Sequence, residues 1–197
     1  MSPGRWITLA ELETSLPNSP ITVGFDIDDT LVFSSPSFNA VLNARDANGV
    51  NPYGANRRAV IGNPKAWEDL HSIHDAYVLP KAIGAQLLAL HQRRGDRIHL
   101  ITARFNVKGE LLEKRMRDMF KLDLGGPVLF AAMKPKTELI KANGIQLYYG
   151  DSDSDIESAQ AAGIHGVRVV RATNAIEYDK LPTNGKFGED VLIDSDR

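Results

Sequence analysis

The stretch Ile21-Thr22-Val23-Gly24-Phe25-Asp26-Ile27-Asp28-Asp29-Thr30 sets an apolar, β-prone run directly against three carboxylates within four residues. A strand sheathed on both faces of a parallel sheet accounts for Ile21, Val23, Phe25 and Ile27. Asp26, Asp28 and Asp29 then crowd like charge at its end, where they repel one another unless a cation sits among them. Hard oxygen ligands suit magnesium, and a carboxylate beside the ion can be ligand and nucleophile together. A solvated acidic turn is the plainer account, and the rest of the chain decides between the two.

Downstream, apolar strand-like runs alternate with helical periods. Thr8-Leu9-Ala10-Glu11 has capping-box spacing and opens a short helix through about Ser15. Pro80 fits the first turn of a helix running to Arg94, stopped by Gly95, with Ile83, Leu87, Leu88 and Leu90 on one face. Further helices are expected over 108–120, 137–143 and 153–162, and further strands over 97–102, 127–131, 145–149 and 167–170. Such alternation predicts an α/β, Rossmann-like parallel sheet with helices on both faces and ligands at the carboxyl ends of the strands. Asp26, Thr102 and Asp151 all fall at such ends. Between them, 34–79 lacks sustained periodicity and carries Pro36, Gly49, Pro52, Gly54, Gly62 and Pro64. It reads as a small, mostly helical, cap-like insertion within a single domain, 1–197. The Val191-Leu192-Ile193 run in the tail is expected to pack or to make a subunit contact.

Composition limits the partners. With 23 basic against 25 acidic side chains the net charge is −2, which gives no basic field for a nucleic acid polymer, and no apolar run reaches membrane-spanning length. Small molecules remain. The chain has no cysteine, so disulfides, thiolate catalysis and Cys-based zinc sites are excluded. Met1 to Trp6 shows no basic region leading into an apolar core, so the expectation is that any signal peptide is absent or was replaced by an initiator Met.

The polar clusters match the needs of phosphoryl transfer through an aspartyl-phosphate. Asp26, with a carboxylate pKa of roughly 4, is ionised near neutrality and needs no base to attack phosphorus. Asp28 would protonate the leaving oxygen and later take a proton from water, which calls for a raised pKa. Asp151 suits a magnesium ligand facing Asp26, and Asp155 an outer position or a brace for a lysine. An EF-hand reading of Asp151 to Asp155 fails, because Ile156 stands where the loop needs glycine and Ala162 where it needs glutamate. Ser152 or Asp153 is read as the cap of the following helix. Thr102 and Arg104 can donate to phosphate, and either Lys136 or Lys134 can approach it from the side. Phe38 and Trp67, in the insertion, can stack on a flat substrate group.

Phe25-Asp26-Ile27-Asp28-Asp29-Thr30, with Thr102, Lys136 and Gly150-Asp151-Ser152-Asp153-Ser154-Asp155, resembles the haloacid dehalogenase (HAD) superfamily. More closely the chain resembles bacterial class B acid phosphatases, from about Trp6 to its end. Val32-Phe33-Ser34-Ser35-Pro36, Asn63-Pro64 with Trp67, Arg93-Arg94-Gly95-Asp96 and Phe187-Gly188-Glu189 carry that likeness. The resemblance implies Asp26 as nucleophile, and Asp28 as acid and base whose backbone carbonyl also binds metal. It implies Asp151 as the second carboxylate ligand, and Thr102, Ala103, Arg104 and Lys136 as phosphate contacts. It further implies a magnesium-dependent, periplasmic homotetramer that hydrolyses many phosphomonoesters, nucleotides among them, and passes phosphate to alcohols. Two positions depart from the family. Ala103 replaces a glycine, and Val60-Ile61 stand where a larger residue meets the substrate, so Phe38, Val60, Ile61 and Trp67 form the expected pocket. A phosphatase confined to one metabolite, or a receiver domain that accepts phosphate on aspartate, would share parts of this pattern. Receivers, however, lack both the second aspartate two residues on and the insertion.

Overall fold

In the computed structural model, which describes residues 4–176 and 181–197, local sequence signals set the first elements. Strand β1 (Arg5–Ile7) leads into helix α1 (Leu9–Ser15), where Thr8 and Glu11 form the reciprocal cap that their spacing predicts. Strand β2 (Thr22–Phe25) is the apolar run ahead of the carboxylates, and Val23 and Phe25 are wholly buried. Gly24 between them is a matter of space. A Cβ there would lie 2.7 Å from the Tyr148 ring and 2.8 Å from Ile145.

The insertion follows: strand β3 (Val32–Phe33), helices α2 (Ser35–Leu42), α3 (Arg57–Ile61) and α4 (Pro64–Ser72), a 3-10 turn (His74–Tyr77) and strand β4 (Leu79–Pro80). Phe38, Val41, Val60, Ala66, Trp67 and Leu70 give it an apolar cluster of its own. Strands β3 and β4 pair antiparallel at its neck. Pro80, expected inside the next helix, pairs instead with Val32 in that neck.

From there α5 (Ala82–Arg94), ended by Gly95 in the left-handed region, leads to β5 (Arg97–Thr102), α6 (Leu112–Phe120) and β6 (Leu129–Phe130). Helix α6 starts later than its periodicity suggests, because Gly109 at φ +77° turns the chain and the Glu110 carboxylate takes the Leu112 N–H. Helix α7 (Thr137–Ala142), β7 (Leu147–Gly150), α8 (Asp153–Ala161), β8 (His165–Arg168) and β9 (Asp190–Leu192) complete the order.

Seven parallel strands form one sheet, ordered β1-β9-β8-β7-β2-β5-β6. Alternation along the strands feeds two cores. Phe25, Leu100 and Tyr149 pack with Leu87 of α5 and Met116 of α6 on one face, whereas Ile101 and Tyr148 pack with Ile140 of α7 and Ala159 of α8 on the other. Helices therefore cover both faces, as the alternating pattern requires. Two strands escaped the periodicity. β1 and β9 pair with each other, Trp6 beside Val191, so the run expected to make a tail contact belongs to the sheet. The winding reverses at β2, which lies between β5 and β7, and ligands gather at the carboxyl ends of such a reversal.

Candidate active site

Asp26 continues the β2–β7 ladder by one step, its N–H donating to the Tyr149 carbonyl at 2.8 Å. That places its carboxylate beside Asp151, the first residue after β7. The Thr30 hydroxyl donates to Asp26 Oδ2 at 3.0 Å and to Asp151 Oδ1 at 3.4 Å. Lys136, buried at the start of α7, donates its Nζ to Asp26 Oδ1 and, at 2.7 Å, to Asp155 Oδ1. Asp155 is held by its own capping box with Ser152, and Gly150 makes room for it: a Cβ there would lie 2.3 Å from that of Asp155. The turn that carries Asp28 has Asp29 in the left-handed region at φ +59°. Lys81, itself buried, donates its Nζ to the Asp29 carbonyl at 2.8 Å and to that of Val170 at 2.9 Å.

Burial sets the electrostatics. It pushes the Asp26 carboxyl well above the usual carboxylate range, with Asp155, Asp151 and Asp28 adding to the rise and Lys136 opposing it. Asp151 is pushed up to about 7, again chiefly by burial, with Arg171 pulling the other way. Asp28 goes in the opposite direction. Burial would raise it too, but the charge and hydrogen bonds of Arg104 outweigh that and lower it. Burial likewise works against the charge on Lys136, yet Asp155 and Asp26 hold its pKa well above that of a free lysine. Asp26, Asp151 and Asp155 bring one oxygen each within 4.8 Å of the others, all buried. Three crowded carboxylates, two of them raised, with only oxygen donors, fit a hard divalent cation. Above this floor opens a cavity of about 660 Å³, whose lining includes Asp26, Asp28, Ala103, Lys136 and, from the insertion, Phe38, Ile61 and Trp67.

Relatives that match nearly the whole of this chain carry a shared name. A class B acid phosphatase of Citrobacter rodentium (strain ICC168) is 39% identical across 99% of this chain and 81% of its own. Those of Klebsiella pneumoniae (strain 342) and Proteus mirabilis (strain HI4320) are 38% and 37% identical over 99% and 98% of this chain, and again 81% of theirs. The chain belongs to the class B acid phosphatase family. As a member it is a phosphoric monoester hydrolase acting on small phosphoesters. No family model matches the chain. Among solved structures, CbbY from Rhodobacter sphaeroides in complex with phosphate superposes with TM-score 0.57 at 17% identity, covering 88% of this chain and 93% of its own. A HAD family hydrolase from Deinococcus radiodurans R1, with bound phosphate and sodium, does so with TM-score 0.57 at 16% identity, covering 89% and 92%. At that identity they show a common fold.

In this acid phosphatase most of the sequence-expected residues converge on one cavity. Asp26, Asp151, Asp155 and Lys136 meet directly, and the buried Thr102 hydroxyl lies 3.4 Å from Asp28. Between the two lysines, Lys136 reaches the carboxylates, while Lys134 lines the cavity. Arg104 lines the cavity as well, and there it is held by two acids. Its guanidinium forks onto both oxygens of Asp28 at 2.8 and 2.6 Å and reaches Asp75 of the insertion at 2.6 Å, and three groups this buried would each be costly if left unpaired. The raised pKa expected for Asp28 is reversed by the same fork. Val60 is buried in the insertion's own cluster rather than lining the catalytic cavity. Phe38 and Trp67 both line the cavity and meet edge to face, 6.2 Å apart at 84°. Of the two expected cap residues, Ser152 caps α8, and Asp153 pairs instead with Arg168 at 3.0 Å. Thr30, Arg171, Lys81 and Asp75 were missed. Thr30 alone had a signal, lying inside the acidic motif, four residues after Asp26.

Proposed function

We propose that this chain is a magnesium-dependent acid phosphatase of broad range, hydrolysing nucleotides and aryl phosphates through an aspartyl-phosphate on Asp26 and passing phosphate to alcohols and nucleosides. The observation that carries the reading is the Asp26 carboxylate at the floor of the cavity, fixed by Lys136 and Thr30 beside Asp151. An Asp26 oxygen forms the bond to phosphorus as the ester oxygen leaves, and Asp28 gives that oxygen its proton. Water then attacks phosphorus, loses a proton to Asp28, and frees orthophosphate and the Asp26 carboxylate. The Thr102 hydroxyl, the Ala103 N–H and the Lys136 ammonium are the donors available to the phosphoryl oxygens. A phosphate dianion entering beside Arg104 competes with Asp28 for the guanidinium, which raises Asp28 towards the protonated form that its first task needs.

Asp26, Asp151 and the Asp28 carbonyl would hold magnesium, with Asp155 beside them, and the ion when bound supplies positive charge to the phosphoryl oxygens. The insertion 34–79 acts as a cap within a single domain 1–197, and Phe38, Ile61 and Trp67 receive the ester group. Membership of the family supports a periplasmic homotetramer. Among the described residues no helix is long and apolar enough to cross a membrane.

A panel of phosphomonoesters assayed with and without EDTA tests the reading. Turnover of aryl phosphates and nucleotides should be abolished by the chelator, restored by magnesium, and lost in Asp26→Asn. Turnover of one metabolite alone would replace the broad reading with a narrow one. Appreciable activity in Asp26→Asn would remove the nucleophile from its role.

A further inference from the structure

The segment between β6 and α7 carries two consecutive non-glycine residues in the left-handed region, Ala132 at φ +51° and Met133 at φ +61°. Side chains enter that region seldom, and runs of such residues mark places where the surroundings dictate the backbone. Three hydrogen bonds do so here. The N–H groups of Ala131, Ala132 and Met133 donate to the carbonyls of Thr102, Arg104 and Ala103 at 2.8, 3.1 and 2.7 Å. The segment is thereby fastened to the loop that flanks the nucleophile. Glycine would satisfy this backbone without strain. Methionine stands there instead, its side chain half exposed and lining the catalytic cavity. Of the lining residues that do not come from the insertion, it has the longest apolar side chain.

We propose that Met133 is a specificity-determining residue, a thioether that packs against the leaving group of the phosphomonoester and favours aryl and nucleobase groups over short polyols. The inference rests on the phosphatase reading above and deepens it. An unbranched, polarisable thioether adapts to a flat ring and makes favourable contacts at its edge, whereas a glycerol moiety offers it nothing to desolvate. The braced backbone holds this flexible side chain at the cavity, and Phe38, Ile61 and Trp67 of the insertion line the same space.

Met133→Gly and Met133→Asn both suit a left-handed backbone, so each removes the thioether while leaving the three hydrogen bonds. Binding of phenylphosphonate and methylphosphonate, measured by calorimetry on the full chain, reads the contact without turnover. The preference for the phenyl compound should fall by about 3- to 10-fold in both variants, the size of a lost sulfur–aromatic contact. In parallel, kcat/KM for phenyl phosphate relative to glycerol phosphate should fall by a similar factor, through KM. A phenyl-to-methyl preference unaltered in both variants would overturn the inference. If the wild-type chain hydrolysed neither ester while the phosphonate preference still dropped, Met133 would keep its place and the phosphatase reading would be the one to fail.

Discussion

Asp26 and Asp28 stand two residues apart on one turn, yet their surroundings push them in opposite directions. Asp26 faces Asp151 and Asp155 with one lysine between them, and its pKa rises, whereas Asp28 receives two guanidinium hydrogen bonds and its pKa falls. That separation fits two roles, with Asp28 taking up a proton only when Arg104 is drawn off. Asp28→Asn should therefore slow esters with poor leaving groups by about 10²- to 10⁴-fold while aryl phosphates suffer far less, the range that general acid help supplies. A series of alkyl and aryl phosphates measured side by side is the check, and equal losses throughout would mean that the substitution had damaged binding instead. Asp26, Asp151 and Asp155 were legible because residue type and position after an apolar run are local facts, while the choice between Lys134 and Lys136 was open on the residues alone. Arg104 was not legible in the same way. Its second partner, Asp75, lies 29 residues away, and only the folded insertion brings the two together.

Elements with a strong local code appear where the sequence puts them: the capping box at Thr8, the glycine stop after α5, and the long strand Arg97–Thr102. β1 and β9 have three residues each, too few for a period, and exist because they pair with one another and with β8. The insertion was legible as an interruption but not in its packing, and His71 of α4 is a case in point. It is fully buried against Trp67 and Phe130, and among the described residues neither ring nitrogen has a hydrogen-bond partner. Burial, with the charge of Arg104, lowers it from 6.5 to about 4. The unfolded chain then takes up this proton first as the pH drops. The contribution to stability is thus complete above about pH 6.5 and declines towards pH 4, with a slope of up to about 1.4 kcal/mol per pH unit. His71→Leu should flatten the pH dependence of urea unfolding by about that slope across the interval. His91 and Asp96 titrate alike in both proteins, so a difference curve isolates His71. Parallel curves would show that His71 carries no such linkage.

On the scale of the whole molecule, the sheet reverses at β2, and that reversal together with the insertion defines where chemistry and specificity divide. The floor of the cavity belongs to strand ends and the walls to loops and the insertion, so substrate range can change without touching Asp26. A cavity of about 660 Å³ falls within the range that takes a drug-sized ligand and exceeds what phosphate alone requires. Once the ester group has left the Asp26 aspartyl-phosphate, space remains for a second molecule, and Asp28 can take a proton from an alcohol as readily as from water. Hydrolysis of an aryl phosphate in the presence of a concentrated primary alcohol or a nucleoside should then yield a new phosphomonoester. Aryl alcohol should appear faster than orthophosphate, by a ratio that grows with acceptor concentration, because both acceptors draw on one covalent intermediate. Equal release of the two products at every acceptor concentration would mean either that no intermediate forms or that the insertion shuts acceptors out. Acid quenching with labelled substrate separates these: label left on the protein, and absent from Asp26→Asn, would keep the covalent route and assign the exclusion to the insertion.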